Sequence, residues 1–389
     1  MSAPLVDRVR ERLARETAPL RPSVVAAAIR AESGGVLGDA EVLRSLRELQ
    51  TELTGAGALD PLLSAPGTTD VLVTAPDAVW IDDGRGLRRT SVRFADEAAV
   101  RRLAQRLALT AGRRLDEAQP WVDGHLLAPG PGGQLTVRLH AILPPVAAAG
   151  TCLSLRVLRP ANQNLDALTA AGTLTLEAAG LLRDILAARL AFVVSGGTGA
   201  GKTTLLAALL AAVPHTERIV CVEDAAELAP DHPHLVKLVA RGANVEGAGE
   251  VTVRDLVRQA LRMRPDRIVI GEVRGPEVVD LLSALNTGHD GGAGTVHANS
   301  PAEVPARFEA LAALGGLDRA ALHSQLAAAI QVVLHVARDR AGRRHLAEIG
   351  LLHRAEGGSV DVVRCWHRDD GFGPGAGELH ALLRARDGS

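Results

Sequence analysis

Residues 191–213, AFVVSGGTGAGKTTLLAALLAAV, decide the reading of this chain. A short apolar run ends in a glycine-rich turn, and the turn opens into a long run with helical character and no charge. The turn fits G-x-x-x-x-G-K-[ST] through Gly196, Gly197, Thr198, Gly199, Ala200, Gly201, Lys202 and Thr203, with Thr204 following. Glycines at this spacing let the backbone curl until its N–H groups converge on phosphate oxygens. The helix N-terminus adds positive dipole, Lys202 reaches the β- and γ-phosphates, and the Thr203 hydroxyl is placed for Mg²⁺. Placement between a strand and a helix makes the match specific, and it predicts bound ATP and Mg²⁺. Lys202 and Lys237 are the only lysines among 43 basic residues. A compact ammonium survives here in a chain that otherwise uses arginine, as a phosphate loop requires.

Downstream, buried strand patterns alternate with helical ones: RIVCVED, VTVRDLVRQALRMR, DRIVIGE, PEVVDLLSALN and GAGTVHA. This alternation predicts an α/β fold, a parallel sheet covered by helices on both faces. Helices follow at 301–331, and VVLHVARD, RHLAEIGLL and SVDVVRCWHR read as a terminal strand meander. A nucleotide hydrolase needs carboxylates where strands end on the loop's edge of the sheet. RIVCVED ends in Glu223 and Asp224, and DRIVIGE ends in Glu272. Glu272 is the expected activator of the attacking water, and Thr203, Glu223 and Glu272 are the expected Mg²⁺ contacts, through oxygen or water. His289 and His297 flank GHDGGAGTVHANS and are expected beside the γ-phosphate, bonded to it or to Glu272.

Upstream, PLVDRVRERLARE and DAEVLRSLRELQTEL predict a short helical cap over 1–55. From residue 69 the period shortens to strand-like runs, TDVLVTA, AVWIDD and LRRTSVRF. A helix, DEAAVRRLAQRLALTAG, and the strands in QLTVRLHAILPP and TCLSLRVLRP follow. An α+β domain over 56–160 is therefore expected, with a polar linker at 161–175 and the motor domain over 176–389.

The composition narrows the class. With 389 residues, 47% hydrophobic and 23% charged, the chain is long enough for about two domains with real cores. No charge-free stretch reaches about 18 residues, and the charged start lacks a signal-peptide run, so a cytoplasmic protein is expected. Three scattered cysteines form neither a disulfide framework nor a zinc site. Four Phe, three Trp, no Tyr and a net charge of −2 argue against a nucleic-acid partner.

The phosphate loop, VEDAAEL, ALRMRPDRIVIGEVRG and NTGHDGGAGTVHANSP together resemble the motor motifs of the secretion and pilus-assembly ATPase superfamily, and most closely its Flp tight-adherence pilus branch, CpaF-like. The resemblance spans roughly 57–350. It implies a RecA-like P-loop motor domain preceded by an α+β domain, a homohexamer, and ATP hydrolysis at the inner face of the membrane. The motor would act through an inner-membrane platform protein, so membrane association would be peripheral. It also implies that Arg274 and His289 join the nucleotide site, that Glu223, Asp224, Glu227 and His297 sense the γ-phosphate, and that upstream arginines, Arg138, Arg156 and Arg114, contact phosphate. Arg241, Arg262 and Arg264 are weaker candidates of the same kind. LHA where the family has VNA and a longer Gly/Pro turn at 128–133 depart from the family pattern on the substrate side, and the missing tetracysteine module separates the chain from close type II secretion motors. A conjugation-type type IV secretion ATPase shares the same motor and is the nearest alternative. A RecA-type DNA motor and a nucleotide-gated scaffold without hydrolysis are further ones.

Overall fold

The computed structural model describes residues 9, 12, 22–34, 55–130, 133–158, 161–244 and 246–386. Most of the expected helical cap lies outside the described residues; within them is a helix, Pro22–Glu32. The chain divides into two compact units, Met1–Arg159 and Pro160–Ser389.

The first unit is built on six antiparallel strands: β1 (Asp70–Ala75), β2 (Ala78–Asp82), β3 (Leu87–Arg89), β4 (Trp121–Gly130), β5 (Gly133–Ile142) and β6 (Cys152–Leu158). Their order is β3-β2-β1-β6-β5-β4. One face is closed by the helix Glu97–Thr110, whose start is capped by the Asp96 carboxylate accepting from Ala99 N. Val100, Leu103, Ala104 and Leu107 of that helix pack with Val71, Val137, Leu139 and Leu155 of the sheet. The other face is open and mixes polar side chains such as Asp70, Arg138 and Arg156 with the exposed apolar Trp121 and Leu127. LRRTSVRF forms a strand only over Leu87–Arg89, and the ten-residue β4 is a strand the apolar pattern does not announce.

The second unit carries nine strands: β7 (Phe192–Gly196), β8 (Ile219–Glu223), β9 (Leu235–Val239), β10 (Arg267–Val273), β11 (Ala293–His297), β12 (Val332–Arg338), β13 (Arg344–Arg354), β14 (Val360–His367) and β15 (Gly371–Phe372). Their order is β15-β14-β13-β12-β7-β11-β10-β8-β9. The strands from β12 to β9 are parallel to their neighbours, and β13 to β15 return antiparallel. Every residue of β7 and β8 is buried, as their uninterrupted apolar runs require of central parallel strands. The helix Lys202–Ala211 is apolar on all sides and is buried accordingly.

Two details differ from the sequence reading. VVLHVARD opens the expected antiparallel meander β12 to β15, but it also joins the main sheet: β12 lies parallel beside β7, with Val336 opposite Gly196. Residues 161–175, read as a linker from their turn signals, hold the helix Leu165–Ala170. Leu165, Leu168 and Leu174 are buried in the core of the second unit with Leu182 and Leu206. Asn164, one of the polar residues that suggested a linker, caps that helix by accepting from Ala167 N.

Candidate active site

Four strands of the second unit bring the predicted side chains to one edge of the sheet. The glycine-rich turn leaves β7 at Gly196 and becomes a helix at Lys202, with Gly201 as N-cap at φ +104°, a backbone only glycine takes without strain. A Cβ at Gly196 would collide with the Val336 carbonyl oxygen of β12. The turn is thus a cradle that side chains would fill, the fit expected of a phosphate-binding loop.

Lys202 is 9% exposed and folds over the turn, donating from Nζ to the carbonyls of Gly196 at 3.0 Å and Gly197 at 3.2 Å. Burial pulls its ammonium below the ordinary lysine range, and the negative charges of Glu272 and Glu227 act against that pull. The same ammonium would move from these carbonyls to a phosphate at little cost, since both are oxygen acceptors at the same loop. Thr203 and Thr204 open the helix beside it.

Glu223 ends β8 and is almost wholly buried. Its Oε1 accepts from Glu227 N at 3.1 Å and Leu228 N at 2.9 Å, while the buried Oε2 has no hydrogen-bond partner. Burial pushes its carboxyl up to about 7, against the two N–H bonds. Glu272 in β10 stands beside it at the edge, bound to Arg274, whose Nε donates at 2.7 Å. Arg274 also pairs with Asp224 at 3.6 Å. Arg274 therefore links the two acidic strand ends. Glu227 forms the backbone bend that caps Glu223, and its carbonyl accepts from Ala161 N.

His297 closes β11 opposite Gly196 of β7, beside the turn. His289 does not share that place. It precedes β11, bonds through Nδ1 to Ala284 O at 3.1 Å, and lies with Gly291 and Gly292, which contact Arg267 and Phe192 at the starts of β10 and β7. β11 separates the two histidines, and five extended residues span about 16 Å. The two histidines therefore do not flank one site: His297 lies at the edge that carries the glycine-rich turn, and His289 at the opposite edge.

Oxygen donors for Mg²⁺ are present: the Thr203 hydroxyl and the Glu272 and Glu223 carboxylates, one with an orphaned oxygen. Among the described residues no three His, Cys, Asp or Glu gather into a metal cage. A donor set this small suits Mg²⁺, which takes much of its shell from phosphate and water.

In the first unit, Arg138 and Arg156 are direct partners across β5 and β6. They belong to a row on the open face, His125, Arg138, Arg156, Asp70 and Asp82, traced strand by strand through the register. Arg156 Nε donates to Asp70 at 3.0 Å and Arg138 Nε to Asp123 at 3.1 Å. Burial would raise Asp123, but the bond and charge of Arg138 outweigh it and hold the carboxyl low. Arg114 is bound to Asp116 in the same unit. In the second unit Arg241 donates to Gly249 O and lines a cavity with Asp224 and Glu277, Arg262 donates to Arg258 O, and Arg264 takes a left-handed backbone, φ +54°.

Three side chains the sequence reading missed also reach the turn. His335 of β12 meets Ser195, the residue before the turn, Nδ1 to Oγ at 2.9 Å. Arg338 Nε donates to Gly199 O at 2.9 Å, and a Cβ at Gly201 would lie 3.3 Å from Arg344 Cδ. No local pattern marks them, because β12 joins β7 across about 140 residues of chain.

A family model described as "Type II/IV secretion system protein" matches residues 52–366. A Mycobacterium tuberculosis (strain ATCC 25618 / H37Rv) protein with a provisional conjugal transfer name is 76% identical over 351 residues, 90% of this chain and 99% of its own. The type IV secretion system protein PtlH homolog of Bordetella bronchiseptica is 34% identical over 270 residues, 62% of this chain and 76% of its own. Among solved structures, the Legionella pneumophila ATPase DotB aligns over 82% of this chain and 84% of its own, with a TM-score of 0.53 at 19% identity. That last likeness is one of fold.

Proposed function

The chain belongs to the type II/IV secretion system protein family, and within it we propose a Mg-ATP hydrolase that works as a homohexameric ring at the inner face of the membrane, driving an inner-membrane platform protein. The observation that supports it most is the meeting, on one sheet edge, of the Lys202 loop with Glu272, Glu223 and His297.

The loop N–H groups and Lys202 bind and orient the triphosphate, and Thr203 with the strand-end carboxylates would hold Mg²⁺. Such an ion would supply charge neutralisation to the phosphates. Glu272 orients the attacking water and takes its proton, held in place by Arg274. Glu223, with a carboxyl near 7, and His297 report the γ-phosphate state to their strands. Arg138 and Arg156 supply positive charge to the transferring phosphoryl group, the role that the family resemblance implies for them.

The motif wording NTGHDG at 286–291 and HANSP at 297–301 supports service to a Flp-type pilus machine. A second reading, a conjugation-class type IV secretion motor, is favoured by the name of the 76%-identical M. tuberculosis relative.

Steady-state hydrolysis against protein concentration, with the mass of the assembly measured in parallel, tests the ring. The specific rate is expected to rise as the hexamer forms. A constant rate in a demonstrated monomer contradicts it.

A further inference from the structure

Arg338 and Arg344 face each other as direct register partners across the β12–β13 hairpin. Like charges placed directly opposite in a sheet are destabilising, so the pair calls for an anion. Neither has a carboxylate within ion-pair distance among the described residues. Both lie on the phosphate loop. Arg338 bonds the Gly199 carbonyl, and its Nη2 would be 3.1 Å from a Cβ at that glycine; the Arg344 stem lies against Gly201. With Arg338 engaged on the loop carbonyl, Arg344 is the cation left to meet a ligand.

The strand order says which end of the ligand. β12 and β13 flank β7 on one side, and β11 and β10, with His297 and Glu272, flank it on the other. A nucleotide whose γ-phosphate points to Glu272 leaves its α-phosphate and nucleoside on the β12 side. We propose that Arg344 is a binding residue for the nucleoside-monophosphate end of the nucleotide, with Arg338 positioning the loop. This rests on the nucleotide-site reading above, and its test separates the two.

The measurement is calorimetric affinity of the full chain for ATP and for ADP, in the native protein, Arg344→Gln, Arg344→Lys and Lys202→Ala. Arg344→Gln is expected to weaken ATP and ADP equally, by about tenfold, the size of one charge-assisted contact. Arg344→Lys should recover part of that loss. Arg344 is exposed, so the variant's melting temperature should match the native one and separate a lost contact from a lost fold. Unchanged affinity in Arg344→Gln overturns the proposal, as does a loss for ATP without one for ADP, which would put Arg344 at the γ-phosphate. Native affinity in Lys202→Ala would instead show that the loop is not the nucleotide site, and would defeat the underlying reading.

Discussion

Glu223 at the end of β8 lies directly against Gly271 of β10: a Cβ at 271 would stand 2.8 Å from Glu223 Cγ and 3.3 Å from its Oε1. The missing side chain lets a carboxylate tuck between two strand ends, with one oxygen capped by backbone N–H groups and the other unbonded.

That burial makes stability depend on pH. The folded chain keeps the Glu223 proton up to about 7, whereas an unfolded glutamate loses it near 4.5. Between those values the folded state binds more protons, so this group's contribution falls as pH rises through the window and levels off above it. Glu223→Gln stays neutral throughout. Its stability relative to the native chain should therefore rise between pH 5 and pH 8, by up to about 3 kcal/mol. Denaturation midpoints of both proteins across that range check this; a constant difference would contradict the buried carboxyl.

The loop glycines divide into two kinds. At Gly196 a Cβ meets the Val336 carbonyl oxygen, which is held in the β12–β7 ladder and cannot move aside, whereas nothing lies within 4 Å of a Cβ at Gly197. Gly196→Ala should cost about 2–4 kcal/mol and Gly197→Ala less than about 0.5 kcal/mol. Chemical denaturation of the two variants tests the contrast, and equal costs would mean that β12 does not press on the loop.

Arg138 and Arg156 pair with Asp123 and Asp70 on an open sheet face, where ion pairs contribute about 0–1 kcal/mol. Arg156→Ala should therefore leave the melting temperature nearly unchanged while lowering ATP hydrolysis tenfold or more, as expected for a charge that serves the transferring phosphoryl group. Thermal melts and steady-state rates on one preparation check both halves. An unaltered rate would return Arg156 to a surface role.

The parts of this molecule legible in its sequence are those where one stretch of chain holds the whole signal. β7 with its turn and helix, and the acidic ends of β8 and β10, are each a buried run followed at once by its chemical group. β4 was not legible because its inward positions include Gly124 and Ala128, too small to read as apolar alternation; a Cβ at Gly124 would lie 2.9 Å from Ala111 Cβ, so the helix packing demands glycine there. β9, an edge strand only partly buried, was missed for the opposite reason, lacking a fully apolar run. The two histidines of GHDGGAGTVHANS look adjacent in sequence, but a strand between them carries them to opposite edges. Arg338 and Arg344 reach the loop only through a long-range parallel pairing that no spacing encodes.

The central claim is tested most directly by Glu272→Gln, measured for both ATP binding and hydrolysis. The substitution keeps the shape of a partly exposed side chain and removes the charge that accepts the water's proton. The turnover rate is expected to fall about 10²–10⁴-fold, the range for loss of a general base, while ATP affinity stays near native. Hydrolysis within a few fold of native in that variant, with ATP still bound, would contradict the account and leave a chain that binds nucleotide without using this edge to cleave it.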